Sequence, residues 1–256
     1  MRFGIIGGTG FYSFVEKSQE RRVETDYGAV TVDVVRVRGQ EVAFIPRHGK
    51  QHTVPPHLVN YRAHIAALKS LGVTRVLASA AAGTLNTIMQ PGDFALPNQF
   101  IDFTHGRAST FWDGTTDLRH VDMTVPYCPQ LHEDLQRAGG ILGDGLHPAA
   151  VYVCTNGPRF ETPAEIEMFR RLDGDIVGMT GVPEAPLARE AGICYAALAV
   201  ITNWAAGLSQ EPVDHAHISA HMDEQMAVVQ RIFADVIQNW RDRPCLTCRP
   251  GVAESA

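Results

Sequence analysis

The chain has 256 residues, 45% hydrophobic and 20% charged, which suffices for one large α/β domain with a full core and leaves no low-complexity linker. Its formal net charge of −6 excludes a global basic footprint for nucleic acid, so an anionic ligand needs a local site of backbone N–H groups with a few Arg or His residues. No apolar stretch approaches the length of a membrane span, and glycines interrupt the N-terminal MRFGIIGGTG too early for a signal sequence; the expectation is a cytoplasmic protein.

In chain order, residues 3–6 form a short apolar strand entering Gly7-Gly8-Thr9-Gly10. Glycines after a first strand let backbone N–H groups turn onto an anion, and Thr9 adds a hydroxyl. A dinucleotide fingerprint needs G-x-G-x-x-G, and here Phe11-Tyr12-Ser13 follows with no third glycine. Residues 30–37 and 41–45 alternate as a hairpin across Arg38-Gly39-Gln40. Its second strand delivers Arg47 and His48 ahead of Gly49. A guanidinium binds phosphate bidentately, so the pair is either an anion clamp or a solvated basic turn. Pro55-Pro56 opens a helix over 57–70, closed by Gly72. The strand 73–77 leads into Ser79-Ala80-Ala81-Ala82-Gly83-Thr84, whose small residues let a ligand approach the backbone, with Ala81 N–H as a donor, or simply ease packing.

Residues 94–101 form another strand, and 105–122 a long loop carrying Trp112, His120 and Asp122 that is suited to covering a site or reaching a neighbouring subunit. Helices are expected over 129–138, 163–172 and 218–240. Cys128, Cys154 and Cys194 lie among apolar residues as reduced core thiols. Cys245 and Cys248 form CLTC in an Arg- and Pro-rich tail, residues 242–256, outside the domain of residues 1–241. Two cysteines without further Cys/His partners are half a zinc site at best; a tail disulfide or redox pair is the alternative, and the tail reads as a bland, mobile terminus.

The densest polar chemistry follows two apolar strands, 150–154 and 193–201. Ligands of open α/β sheets bind beyond the carboxyl ends of such strands. The first loop offers Arg159, Phe160 and Glu161, the second Thr202 and Asn203, and the run 175–177 leads to Met179 and Thr180. An aromatic face, a carboxylate, a carboxamide and a thioether can converge on one small heteroaromatic ligand.

The segments GPRFET, GMTGVPEAPLAREAGI and ITNWAAG, with GGTG and RHGKQHTVPPHLVNYRAHI upstream, resemble the methylthioadenosine/purine nucleoside phosphorylase family over residues 3–240. The resemblance implies a single-domain α/β fold around a mixed, twisted, partly barrel-like sheet flanked by helices, assembled as a homotrimer or a dimer of trimers. It implies phosphorolysis of a purine nucleoside to the free base and a pentose 1-phosphate, as in purine salvage. Inorganic phosphate is then the co-substrate, and no metal or organic cofactor takes part. The phosphate site would comprise Thr9, Arg47, His48, Ala81 and Thr180. Position 80 is alanine where relatives carry threonine or asparagine, which puts one phosphate contact in doubt. Met179 would lie under the ribose and Phe160 against base and sugar. His120, within HVDMTVPYCP, would reach the adjacent subunit's site.

The base loop sets the substrate class. The adenosine-directed branch resembles TDYDCW here, with two aspartates accepting from the exocyclic amine; this chain has Asn203 and Ala205 instead. A 6-oxopurine presents a 6-oxygen acceptor, to which Asn203 can donate, and an N1–H, which Glu161 can accept. Adenine reverses that pattern and leaves buried polar groups unpaired at roughly 1–3 kcal/mol each. At the ribose 5′ end, His215 suits a hydroxyl, whereas Val213, Ala216 and Ile218 suit a methylthio group. The expectation is S-methyl-5′-thioinosine, with inosine, guanosine and methylthioadenosine as alternatives. A non-catalytic nucleoside-binding module would have no reason to keep Arg47 and His48 beside a glycine loop.

Overall fold

The computed structural model describes residues 1–8, 18–115 and 120–248. At its centre β1 (Phe3–Gly7), buried along its whole length, runs parallel to β4 (Gln40–Pro46) on one side and β5 (Arg75–Thr84) on the other. Strands covered on both faces read as continuous apolar runs, which is why FGII lacks alternation; VAFI of β4, expected to alternate, is likewise buried throughout. β3 (Val30–Val37) pairs antiparallel with β4 as the expected hairpin. Arg38 and Gly39 hold φ of 49° and 83° in its turn, the left-handed pair that matches strand twist. β2 (Gln19–Val23) borders β3. Its exposed QERRV carries no apolar signal, as befits an edge strand guarded by charge, and sequence reading did not find it.

The small-residue run 79–84 continues β5 instead of forming a loop. β9 (Cys194–Trp204) runs parallel to β5, with the register shifting between Ala82 and Gly83. On the other side β5 meets β8 (Ile176–Gly178) antiparallel. β7 (Leu146–Cys154) then lies parallel to β8, and β6 (Phe94–Asp102) parallel to β7. β6 returns antiparallel to β9, so β5, β8, β7, β6 and β9 close a five-stranded barrel. This is the mixed, partly barrel-like sheet expected. Tyr152, Ile176, Val182 and Ile201 fill one of its apolar clusters.

α1 (Tyr61–Ser70) and α4 (Gly181–Glu190) cover one face, with Ile65, Leu68, Leu187 and Ala188 against Ile6, Ile45 and Val76. α2 (Pro129–Ala138) and α5 (His215–Asn239) cover the other, with Leu131, Leu135, Met222, Val229 and Phe233 against Phe3, Leu77 and Leu198. α3 (Pro163–Arg171) packs Ile166 and Phe169 on Val153 and Val177. No described helix is long and apolar enough to cross a membrane.

Three expectations shift. Pro56–Leu58 forms its own short turn, and extended backbone at Val59 delays α1 until Asn60, whose side chain accepts from Ala63 N–H at 3.1 Å. α5 starts at His215, three residues before the expected position, because Asp214 caps it by accepting from His217 N–H. α4 was not foreseen: it is buried on nearly every side and so shows no amphipathic period, and it carries two prolines.

The chain after α5 does not behave as a bland terminus. Trp240 stands edge-on to Phe3 with ring centroids 5.8 Å apart, and the Arg75 guanidinium lies 4.1 Å from the Trp240 ring centre. Cys245 and Cys248 are buried in the α2–α5 core.

Candidate active site

The carboxyl ends of β4, β5, β8 and β9 open into a cavity of about 480 Å³, within the range of sites that enclose a small organic ligand. Its wall includes Arg47, His48, Ala81, Thr180, Phe160, Glu161, Met179, Asn203, Ala205, His215 and Ile218. Thr9 lies outside the described residues. His120 is exposed and is not part of the wall. Ala80 is buried and also absent from the wall, whereas its neighbour Ala81 contributes to it.

Arg47 arrives at the end of β4 and is almost wholly buried. Its Nε and Nη2 bind the two carboxylate oxygens of Glu184, the latter at 2.9 Å, and Nη1 donates to Ser79 O at 2.9 Å. Arg47 is therefore not a solvated basic turn: one edge of its guanidinium is committed to a buried bidentate ion pair. Of the five guanidinium N–H groups, three are engaged in these bonds, which leaves two for the cavity. Glu184 also accepts from Tyr195 Oη at 2.8 Å, and is fully buried on α4. Sequence reasoning passed over Glu184. The available signal was a carboxylate within the apolar run GVPEAPLA at the start of α4, where a buried charge calls for a buried cation.

His48 contributes no positive charge. Burial, with the adjacent Arg47 charge, pushes its imidazolium down to about 3. Its Nδ1 lies 2.8 Å from Val54 O, and a carbonyl only accepts, so Nδ1 carries the proton. Nε2 is then a lone-pair acceptor, suited to the O–H of a hydrogen phosphate. Close to Arg47, Gly8 N–H donates to Ser79 Oγ at 3.0 Å, and a Cβ at Gly8 would lie 2.9 Å from Arg47 Nη1. Glycine is required there by close approach.

Asn203 lies one residue before the end of β9, opposite Gly83 of β5. Its Oδ1 accepts from Thr202 Oγ1 at 2.9 Å and its Nδ2 donates to Trp204 O at 2.9 Å. The second Nδ2 hydrogen is left for a ligand. Glu161 accepts from Thr155 Oγ1 at 2.6 Å, and burial raises its carboxyl above the usual range. Met179 follows β8 and packs on Gly157: a Cβ at Gly157 would sit 2.5 Å from Met179 Sδ, and φ there is 58°.

Arg107, from the long loop, is a second residue that sequence reasoning missed. Its Nη1 donates to Met179 O at 2.8 Å and to Val182 O at 2.7 Å, and Nη2 donates to Asn156 O at 2.8 Å. It ties the Met179 turn to the segment carrying Phe160 and Glu161, a positioning role. His215 also lines the cavity, while His217 is exposed to solvent. His52 stacks between His48 and His215, with ring centroids 4.7 and 5.9 Å away. Val213 and Ile218 line the same cavity.

Fold and cavity together define an α/β protein with a closed-barrel sheet and one mixed polar–aromatic pocket at its strand ends. The model of the phosphorylase superfamily matches residues 2–238, and the chain belongs to that family. It is 52% identical over 227 residues to a probable 6-oxopurine nucleoside phosphorylase of Moorella thermoacetica, covering 88% of this chain and 87% of the relative. It is 53% identical over 206 residues to a probable S-methyl-5′-thioinosine phosphorylase of Methanopyrus kandleri, covering 80% and 79%. Among solved structures, the methylthioadenosine phosphorylase of Schistosoma mansoni in complex with adenine superposes with a TM-score of 0.89 at 34% identity, covering 93% of this chain and 91% of that one.

Proposed function

We propose that the protein phosphorolyses 6-oxopurine nucleosides, with S-methyl-5′-thioinosine as its preferred substrate, giving hypoxanthine and the pentose 1-phosphate. The observation carrying this reading is that Asn203 and Glu161 line one cavity, with an amide N–H left to donate and a carboxylate to accept. Those are the partners of a 6-oxygen and an N1–H, and sites built on such bonds reject the reversed pattern of adenine. The names of relatives from Moorella and Methanopyrus agree with it.

Breaking the glycosidic bond gives the sugar oxocarbenium character and leaves negative charge on the purine. Asn203, donating to the oxygen on which that charge develops, lowers the barrier more than it stabilises the bound nucleoside. Phosphate sits against the two remaining Arg47 N–H groups, the Thr180 hydroxyl and the backbone at Ala81, with an O–H directed to His48 Nε2 and Thr9 closing the site. It is held as the attacking nucleophile and offsets the positive sugar carbon. The Arg47–Glu184 pair fixes the guanidinium before phosphate arrives. No protein nucleophile or cofactor is required. Phe160 and Met179 pack on base and ribose. His120 completes the site of a neighbouring subunit in a trimer or a dimer of trimers.

At the 5′ end, Val213 and Ile218 favour the methylthio group, whereas His215 in the same wall supports a second reading with inosine or guanosine. The test is base release from S-methyl-5′-thioinosine, inosine, guanosine and methylthioadenosine, each with and without phosphate. Phosphate-dependent release from the thioinosine with methylthioadenosine inert is the expected result. Preference for inosine or guanosine assigns His215 to a 5′-hydroxyl. Rapid cleavage of methylthioadenosine would overturn the assignment of Asn203 and Glu161.

A further inference from the structure

Four of the five cysteines meet in one place. The sulfur atoms of Cys128, Cys194, Cys245 and Cys248 all lie within 4.8 Å of one another, and every one of these residues is buried. They come from three remote parts of the chain: Cys128 caps the start of α2, Cys194 opens β9, and Cys245 and Cys248 follow α5. None is in a disulfide. Cys128 Sγ and Cys245 Sγ are 3.7 Å apart. A disulfide needs about 2.05 Å, whereas two thiolates on one tetrahedral zinc, each at about 2.3 Å from the metal, stand roughly 3.8 Å apart.

The surroundings hold these sulfurs in place. Cys128 N–H donates to Tyr195 O at 2.8 Å, tying the entry of α2 to β9 beside Cys194. Gln130 Nε2 donates to Pro244 O at 2.6 Å, and Arg243 Nη2 donates to Gln130 O at 3.2 Å, docking the final segment on α2. Arg189 is buried, and its guanidinium donates to Thr247 O inside the CLTC turn and to Val125 O before Cys128. Its side-chain bonds thus go to two carbonyls. A buried guanidinium is favoured by negative charge close by: the Asp122 carboxylate interacts with it, and four thiolates around a divalent ion would add a net charge of −2.

We propose that Cys128, Cys194, Cys245 and Cys248 bind one zinc ion as a structural tetrathiolate site that clamps the C-terminal segment onto the core. Zinc is bound by C-x₂-C turns combined with two further thiolates, and closed four-sulfur sites leave no position for substrate. The four thiols release four protons to solvent as the ion binds, without any redox change. The cavity wall contains no cysteine, so the ion takes no part in the reaction. This assignment replaces the expectation that the CxxC is half a zinc site at best.

The full-length protein, purified without chelator or added metal and free of any histidine tag, is analysed for metals by mass spectrometry. One zinc per chain is expected. A mercurial titration should release that zinc in step with modification of thiols, and exchange with cobalt(II) should give thiolate charge-transfer absorption with tetrahedral d–d bands. Zinc content should fall at least tenfold in the Cys245→Ser, Cys248→Ser double variant and stay at one per chain in Cys154→Ser. The wild-type measurement stands even if the double variant fails to fold. Metal-free protein with all thiols alkylatable after denaturation without reductant, two disulfides in place of four thiols, or iron in place of zinc would each overturn the proposal.

Discussion

In the proposed complex Asn203 and Glu161 are the partners of the base, and their environments determine how each should respond to change. Replacing Asn203 with alanine removes the donor to the developing oxyanion, so turnover of 6-oxopurine nucleosides should fall about a hundredfold; a loss within about threefold in steady-state assays would reject that role. Glu184 shows a different kind of dependence. It touches no substrate in the proposed complex, yet Arg47 is buried against it. Glu184→Gln leaves a buried cation without its counter-charge and should cost about 3–5 kcal/mol, read as a lower denaturant midpoint. The histidines add a pH term. His48 is held down to about 3 and His64 to about 4, in both cases chiefly by burial. An unfolded chain takes up protons on both near their ordinary value of 6.5, and the native fold refuses them until pH 3–4. Stability is therefore unaffected by these groups above about pH 7.5 and is lost as pH falls from about 6.5 toward 3. Urea midpoints measured from pH 8 to pH 5 should decline, and His64→Gln should flatten part of the decline.

At the scale of elements, the pocket depends on how β5 and β9 run together. Their register shifts at Ala82 and Gly83, which sets Asn203 opposite Gly83. A Cβ at Gly83 would lie 3.1 Å from Asn203 Nδ2, closer than the amide can comfortably accept. Gly83→Ala should reduce turnover of 6-oxopurine nucleosides severalfold and leave the melting temperature nearly unchanged, since the displaced group is a terminal amide and not packed core. Parallel activity and thermal-melt measurements separate those two effects. The same strands explain which elements were legible beforehand. The hairpin, through the alternation of 30–37 and its Arg38-Gly39 turn, together with α2 and most of α5 follows from alternation, from Pro at a helix start and from a 3.6-residue apolar period. β2 and α4 carry neither signal: one is an edge strand of charged residues, and the other is buried nearly all round.

On the scale of the whole molecule, the long loop divides its labour. Arg107 reaches inward to three carbonyls around the site, while His120 stands exposed and outside the cavity. An assembled trimer in which His120 serves a neighbour predicts that specific activity falls on dilution below the association range, followed by size-exclusion chromatography. His120→Ala should lower activity while the assembly stays intact. Unchanged activity in that variant would separate His120 from the site.

The candidate pocket was legible in its residue types, since Arg47, His48, Phe160, Glu161, Met179, Thr180 and Asn203 all stand at strand ends or in polar loops, where side chains have little to do but meet a ligand. What those side chains are bonded to was not. The half of Arg47 committed to Glu184, the neutral state of His48 and the clasp made by Arg107 depend on burial and on partners up to 137 residues away in the chain, which local pattern does not encode. The cysteines mark the same boundary. Composition and spacing could establish a CxxC and three apolar thiols; only the packing of α2, β9 and the final segment brings four sulfur atoms within 4.8 Å. Residue identity determines which chemistry a chain can perform, and long-range closure of the sheet determines which groups share a charge, a proton or an ion.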